Sequence, residues 1–201
     1  MIPALVLVAA YLLGGIPFGY VLVRLFTGKD VRAAGSGNIG ATNVFRTTSR
    51  WIGILTLILD ALKGYVAVAL ADRLTAGSPL WMSCAALAVL LGHVFPVFLK
   101  FKGGKAVASF IGAFLYLTPV ALVAVLVVFV VTVWRTRFIS LGSILAAGTF
   151  PLAVWIIVHP AWPVFLVSVL AAALIIWRHE ANIGRLRAGT ESIFSLRRSR
   201  G

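Results

Sequence analysis

Three short polar segments interrupt an otherwise apolar chain, and each carries groups that could bind an anion. They comprise residues 35–46, residues 92–96 with 101–108, and residues 178–191. Glycines, amides, hydroxyls and cations dominate these segments, and their only carboxylates are Glu180 and Glu191. Glycine lets backbone N–H groups approach a ligand, and Lys and Arg supply positive charge. Together the segments predict a site for a polyanion, with two phosphate groups as the simplest candidate.

The first segment opens with G-S-G-N-I-G at residues 35–40, a match to the G-x-G-x-x-G pattern. A dinucleotide site would need a preceding strand and an acidic residue about 20 positions later. An apolar run of helical length precedes this loop instead, and Asp60 lies inside another apolar run. We therefore interpret the glycines as an anion-wrapping loop, with a merely flexible loop as the alternative. Further donors in this segment are Ser36, Asn38, Thr42, Asn43 and Arg46.

The second segment contains Lys102-Gly103-Gly104-Lys105 directly before a predicted helix that starts at Ala106. The spacing is not that of a Walker A loop. A helix N-terminus binds anions through its free N–H groups and dipole, and Lys105 would add a full charge there. The alternative is a basic turn that only fixes the membrane topology.

The third segment places His179, Asn182 and Arg185 at i, i+3 and i+6, on one face of a helix predicted to leave the membrane at Trp177. The histidine could act as a base, as a hydrogen-bond donor or only as an interfacial residue. Cys84 is expected at the opposite membrane face, so no cysteine nucleophile is available.

The composition indicates that these segments are carried by membrane helices. Of the 201 residues, 61% are hydrophobic and 11% are charged, against about 45–50% apolar and about 25% charged in soluble domains. The net charge of +13 would suggest nucleic acid in a soluble protein. Here the basic residues fill the gaps between apolar runs, so we expect topology and an anionic substrate to explain them, and no nucleic acid partner. The single cysteine allows no intrachain disulfide, and no Cys/His metal spacing is present.

The apolar runs predict an all-α, polytopic fold with seven membrane helices. Lys and Arg favour cytoplasmic loops, and basic residues flank both ends of the stretch 106–134. This stretch must therefore cross an even number of times, and Pro119 divides it into two short helices. The N-terminus is then outside and the C-terminus inside, with all three polar segments on the cytoplasmic face. The spans are Ile2–Phe26, Trp51–Ala71, Leu80–Leu99, Ala106–Leu117, Pro119–Trp134, Phe138–Val158 and Ala161–Trp177.

Two charged residues fall within a predicted span. Asp60 and Lys63 lie three positions apart on the second membrane helix. Intramembrane charges are candidates for function, and the alternative here is a structural ion pair. The sequence leaves both open.

Taken in order, the three segments resemble the three signature motifs of the bacterial acyl-phosphate:glycerol-3-phosphate acyltransferase family. The first and third motifs match fully. In the second, the family often has K-G-G-K-G-V-A-T, where this chain has Ala106 and Ser109. The resemblance spans Ile2–Glu191, within a single predicted domain of residues 1–201 whose end, 192–201, is a basic cytoplasmic tail.

The resemblance implies transfer of a fatty acyl group from acyl phosphate to the 1-hydroxyl of sn-glycerol 3-phosphate. The products are lysophosphatidate and phosphate, the first acylation of phospholipid synthesis. It also implies residence in the bacterial inner membrane among lipid, an active site at the cytoplasmic face, and no cofactor or metal. An upstream enzyme that forms acyl phosphate is a candidate partner. The alternative function is a transporter of organic anions or phosphate, which broken helices can build, although the polar groups lie at one face and no inverted repeat is visible.

With this reaction in view, residues are assigned to two groups. The expected catalytic set is Ser36, Arg46, Lys105, His179 and Asn182. The expected substrate-binding set is Gly37, Asn38, Gly40, Thr42, Asn43, Lys102, Gly103, Gly104, Ser143 and Arg185.

Overall fold

The computed structural model describes residues 1–194, and within them it contains ten α-helices and no strand. Of the predicted basic tail, residues 195–201 lie outside the described part. The helices are α1 (Ile2–Gly15), α2 (Phe18–Thr27), α3 (Ala41–Thr47), α4 (Arg50–Leu74), α5 (Pro79–Val94), α6 (Val107–Leu117), α7 (Pro119–Thr136), α8 (Ile139–Ala153), α9 (Trp162–Arg178) and α10 (Glu180–Arg187).

Five helical stretches among the described residues are long and apolar enough to cross a membrane: Ile2–Thr27, Arg50–Leu74, Pro79–Leu99, Pro119–Thr136 and Ile139–Val158. A sixth is possible if α9 and α10, which meet at an angle of 55°, count as one broken span. Helix α6 has 11 residues, so it is only about 16 Å long against a hydrocarbon core of about 30 Å, and it would have to form a short, paired span with α7. The all-helical, multi-spanning prediction is confirmed, whereas seven spans and the orientation of the termini stay predictions.

Two helix breaks follow directly from proline chemistry. Pro119 opens α7, where its missing N–H costs no hydrogen bond, and it keeps Thr118 out of the helical region, at φ −148°. The break therefore falls where the sequence predicts it. Pro17 similarly separates α1 from α2, so the first predicted span is two helices joined by an extended Ile16.

Small residues bring α4 and α6 into backbone contact. A Cβ atom on Gly112 would lie 1.7 Å from the carbonyl oxygen of Ala61, and one on Gly64 would lie 2.1 Å from that of Ser109. Such close approach is the usual way for helices to pack in a membrane, where the hydrophobic effect between helices is weak. It fixes α6, and hence the loop that enters it, against the longest helix of the bundle.

The intramembrane charges Asp60 and Lys63 form a buried ion pair at 2.7 Å. The Lys63 ammonium also donates to the carbonyl oxygen of Ile16 at 2.9 Å, at the break between α1 and α2. A carbonyl at a helix break lacks its usual partner, and Lys63 supplies one. These contacts are the ones expected of a structural ion pair. A role of Asp60 and Lys63 in turnover stays a prediction.

Candidate active site

The loop between α5 and α6 has a tightly constrained backbone. Lys100, Phe101 and Ala106 all have positive φ, at 52°, 62° and 59°, a conformation that costs a non-glycine residue about 1 kcal/mol or more and often marks functional sites. Ala106 is the N-cap of α6, so this helix begins one residue later than predicted. The loop is therefore held in place by its surroundings and not by local preference.

Gly103 and Gly104 pack this loop onto the end of α5. Their N–H groups donate to the carbonyl oxygens of Val94 and His93, each at 3.1 Å. Both N–H groups are therefore engaged within the protein, and substrate binding by Gly103 and Gly104 stays a prediction. A Cβ on Gly104 would lie 2.2 Å from His93 Nε2, so the glycine is needed for close packing.

Lys105 connects this loop to the third segment. Its ammonium donates to Asn182 Oδ1, and the Asn182 amide nitrogen donates to Glu191 Oε1 at 2.7 Å. Arg185 Nε donates to the other carboxylate oxygen of Glu191, also at 2.7 Å. Asn182 is buried. The Glu191 carboxylate holds its amide nitrogen, and its amide oxygen faces the lysine.

Glu191 organises the site, although the sequence did not single it out. Gly189 has φ +68° and turns the chain back after α10, which brings Glu191 against Asn182. Ser140 Oγ also donates to Glu191 Oε1, at 2.8 Å. Burial opposes its ionisation, but hydrogen bonds from Asn182, Ser140 and Arg185 lower the pKa of Glu191. The available signal was a carboxylate that closely follows a glycine, Gly189, at the end of a helix.

Ser140, one helical turn before the predicted binding residue Ser143, contacts Glu191, and substrate binding by Ser143 stays a prediction. The Ser143 hydroxyl donates to the carbonyl oxygen of Ile139 at 3.0 Å, within its own helix. The choice between serines on one helical face depends on depth, which the apolar pattern of the span does not fix.

His179 lies at the bend between α9 and α10, so the single continuous helix predicted for the third segment is in fact two. Its Nδ1 is 2.8 Å from the carbonyl oxygen of Ile175. Because that oxygen only accepts, Nδ1 carries the proton, and Nε2 of the neutral ring holds a lone pair. Burial and the Lys105 cation lower the pKa of His179 to about 4, so the ring is neutral at pH 7.

Arg178 holds the second and third segments together from the opposite side. Its guanidinium donates to the carbonyl oxygens of Gly104 and Gly103 at 3.2 and 3.3 Å. The sequence did not assign Arg178 a role, because the bend at His179 was not foreseen.

In the first segment, the buried Asn43 side chain holds the loop together. Asn43 Oδ1 accepts from the Ser36 backbone N–H at 3.0 Å and from Arg46 at 3.3 Å. Its amide nitrogen donates to the carbonyl oxygens of Asn38 and Ala34 at 2.9 and 3.0 Å. Asn43 therefore shapes the loop through these internal hydrogen bonds, and its contact with a substrate stays a prediction.

Other predicted donors of this loop are likewise engaged internally. The Gly37 N–H donates to the carbonyl oxygen of Ala34 at 3.0 Å, and the Gly40 N–H donates to Asn38 Oδ1 at 2.8 Å. Ser36, Thr42 and Arg46 keep exposed side chains, as does Lys102 in the second segment. The first segment thus offers its hydroxyls and Arg46, more than its backbone, to a ligand.

The three segments converge at one end of the bundle. Phe45 of α3 contacts Phe194 of the returning chain, with ring centroids 5.8 Å apart. Burial, followed by the cations of Arg185, Arg178 and Arg46, lowers the pKa of Lys105 to about 8. Three arginines and one carboxylate, Glu191, therefore act on Lys105, and the excess positive charge suits an anion. No group of three or more His, Cys, Asp or Glu residues among residues 1–194 could hold a metal ion.

The chain is similar to known proteins in sequence and in fold. The family described as glycerol-3-phosphate acyltransferase matches residues 4–189. Glycerol-3-phosphate acyltransferases from Trichlorobacter lovleyi and Geotalea daltonii are 52% and 46% identical, over 92% and 94% of this chain and 94% and 95% of theirs. The crystal structure of PlsY (YgiH), an integral membrane glycerol 3-phosphate acyltransferase, in its glycerol 3-phosphate form superposes with a TM-score of 0.90 at 37% identity, covering 96% of each chain. Its lysophosphatidic acid form gives 0.87 at 36% identity, covering 96% of this chain and 95% of that one. The chain belongs to the glycerol-3-phosphate acyltransferase family.

Proposed function

We propose that this protein transfers a fatty acyl group from acyl phosphate to the 1-hydroxyl of sn-glycerol 3-phosphate. The observation that carries the proposal is the contact of Lys105 with Asn182, close to several arginine cations. It occurs in a member of an acyltransferase family. Both substrates carry a phosphate, which matches the excess positive charge. Acyl phosphate as the donor is the finer part of the proposal and follows from the motif resemblance.

The site binds the phosphates through charge and the remaining hydroxyl donors. Lys105 is a compact point charge, whereas Arg46 and Arg185 present planar forks suited to phosphate oxygens. The start of α6 adds N–H groups and the positive end of a helix dipole beside Lys105. Ser36 and Thr42, exposed on the first loop, complete the donors that face a ligand. Holding two phosphates here would bring the hydroxyl and the acyl carbonyl together.

The reaction replaces one carbon–oxygen bond with another. The 1-hydroxyl oxygen attacks the carbonyl carbon, an ester bond forms, and the bond from that carbon to the phosphate oxygen breaks. Cations and N–H groups stabilise the negative charge on the carbonyl oxygen and on the departing phosphate. Phosphate is a good leaving group, so the site needs no covalent nucleophile.

The hydroxyl proton goes to a phosphate oxygen in this proposal. His179 has a pKa of about 4, which makes it a weak base, and its Nε2 lone pair suits accepting a hydrogen bond from a substrate. His179 and Asn182 would thus orient the substrates, and Lys105 would supply the charge.

The proposed setting is a single domain of residues 1–201 in the bacterial inner membrane, with seven spans and the site at the cytoplasmic face. Acyl phosphate would reach it from lipid or from the enzyme that makes it. This topology predicts that Pro119 is outside and Arg135 inside. Cysteine labelling on a Cys84→Ala background tests it, and labelling of position 119 only from the cytoplasm would refute it.

The experiment that tests the activity uses purified protein in detergent. Acyl phosphate and glycerol 3-phosphate are supplied together, and phosphate and lysophosphatidate are measured. Turnover should require both substrates. A transporter would need two compartments and would release no phosphate in this assay.

A further inference from the structure

A cluster of buried polar side chains lies directly beneath the loop that carries Lys105. It consists of Asp60 and Lys63 on α4, His93 on α5 and Ser109 on α6. His93 Nδ1 lies 3.3 Å from Ser109 Oγ and 3.7 Å from Asp60 Oδ1. Buried polar groups are kept where hydrogen bonds or ion pairs satisfy them, and here the contacts join three helices at one imidazole.

The other edge of the His93 ring supports the loop itself. The Gly104 backbone sits so close that a Cβ there would lie 2.2 Å from Nε2 and 3.0 and 3.2 Å from two ring carbons. The carbonyl oxygen of His93 also accepts the Gly104 N–H at 3.1 Å. Since Arg178 binds the carbonyl oxygens of Gly103 and Gly104, the turn is held between an imidazole on one side and a guanidinium on the other.

His93 therefore contacts the chain on both sides of Lys105. Gly104 immediately precedes Lys105, and Ser109 lies in the first turn of α6, just after it. The Asp60–Lys63 pair, tied through Lys63 to the carbonyl oxygen of Ile16, fixes the ring from below. The position of Lys105 relative to Asn182 thus depends on a side chain that is buried in the bundle.

We propose that His93 is a positioning residue, which sets the height of the Gly103–Gly104 turn and so aims Lys105 at the substrate phosphate. This inference rests on the proposed function for its kinetic readout, but not for its geometry. A displacement of the loop would weaken every phosphate contact that Lys105 makes, and a shift of about 1 Å can cost about 100-fold in rate.

The two glycines provide a matched test, because a methyl group at each would meet a different part of His93. On Gly104 it meets the imidazole, whereas on Gly103 it meets the carbonyl oxygens of His93 and Val94 and the Pro96 ring. Neither glycine has a positive φ that would itself exclude alanine. Removing the imidazole should therefore relieve the steric conflict in Gly104→Ala but not the one in Gly103→Ala.

The experiment is a double-mutant cycle on the full-length protein, measuring KM for glycerol 3-phosphate. We expect Gly104→Ala to raise KM by about tenfold in the wild type and by less than about twofold in His93→Ala. Gly103→Ala should raise KM by the same factor in both backgrounds. An equal penalty for Gly104→Ala in both backgrounds overturns the proposal, and so does equal relief of both glycine variants, because general loosening would explain it.

A binding readout separates this inference from the proposed function. The inorganic phosphate concentration that gives half-maximal thermal stabilisation is measured for the same variants, and the same pattern of relief is expected. If the wild type shows no acyl transfer, the proposed function fails while this cycle still decides the role of His93. Should His93→Ala not purify, His93→Asn lacks an atom at the Nε2 position and keeps an amide near Ser109. It should relieve Gly104→Ala equally, and its failure to do so overturns the proposal.

Discussion

Lys105 and Asn182 are 77 residues apart in the chain, yet the lysine ammonium donates a hydrogen bond to the amide oxygen of the asparagine. Asn182 can point this oxygen at the lysine because its amide nitrogen is held by Glu191. The loop before α6 and helix α10, which are distant in the sequence, thus share one polar contact at the end of the bundle. The charge of Lys105 and the orientation of Asn182 are consequently linked.

The pH profile of the activity should fall on its basic side as Lys105 loses its charge. Its pKa is lowered to about 8 by burial and by cations including Arg185, so the ammonium charge is present below this pH and lost as pH rises through it. We expect kcat/KM, which reports on the free enzyme, to fall above about pH 8. Arg185→Gln removes a neighbouring cation and should move the limb to higher pH. A limb that stays in place in both Arg185→Gln and Lys105→Arg would assign it to another group.

Glu191 should matter for stability as well as for turnover. Glu191→Ala leaves Asn182, Ser140 and Arg185 without the acceptor they share. Each buried group that loses its partner costs about 1–3 kcal/mol, which lowers the thermal midpoint. Glu180→Ala is the matched control, since Glu180 is an exposed glutamate on the neighbouring α10. Equal midpoints for the two variants would show that Glu191 does not hold the site together.

His179→Gln should keep appreciable kcat and mainly raise KM. The ring is neutral at pH 7 because its pKa lies near 4, and a glutamine amide can replace one hydrogen bond but not a base. The wild-type pH profile should accordingly show no acidic limb near pH 6.5. An essential general base would instead cost about 10²–10⁴-fold in kcat on substitution. A loss of that size at constant KM would assign the proton to His179.

The Asp60–Lys63 pair should behave as a structural ion pair. Removing one partner of a buried pair typically costs about 3–5 kcal/mol, whereas replacing both is far less costly. Asp60→Asn and Lys63→Met should each lower the thermal midpoint, and the double variant should recover part of that loss. Lost activity in the double variant with an unchanged midpoint would favour the functional alternative.

Much of the fold follows from local sequence features. Apolar runs of helical length, the proline at 119 and basic loops predict the helices and one of their breaks, because each acts on its own neighbourhood, whereas the break at Pro17 was not predicted. The third segment was expected as one helix, and the bend at His179 shows that a shared i, i+3, i+6 face need not persist across a helix end.

The internal hydrogen bonds of the candidate site could not be predicted from the sequence, for a physical reason. Which donors remain free depends on contacts between distant segments, and a single sequence does not encode these in its spacing. Gly103 and Gly104 have the residue type of an anion-binding loop, but their N–H groups are taken by α5. Ser140 and not Ser143 reaches Glu191, because the turn at Gly189 sets how far the chain returns.

The central claim is that the Lys105 charge binds the reacting phosphate, and one comparison of variants tests it directly. Turnover of acyl phosphate with glycerol 3-phosphate is measured for Lys105→Ala, Lys105→Arg and Lys29→Ala, the last being an exposed lysine outside the site. We expect Lys105→Ala to lose about 10²–10³-fold in kcat/KM while it still inserts and purifies. Lys105→Arg should recover only part of the activity, because a planar guanidinium does not replace a compact ammonium charge. Lys29→Ala should match the wild type. Wild-type kinetics in Lys105→Ala would contradict the account.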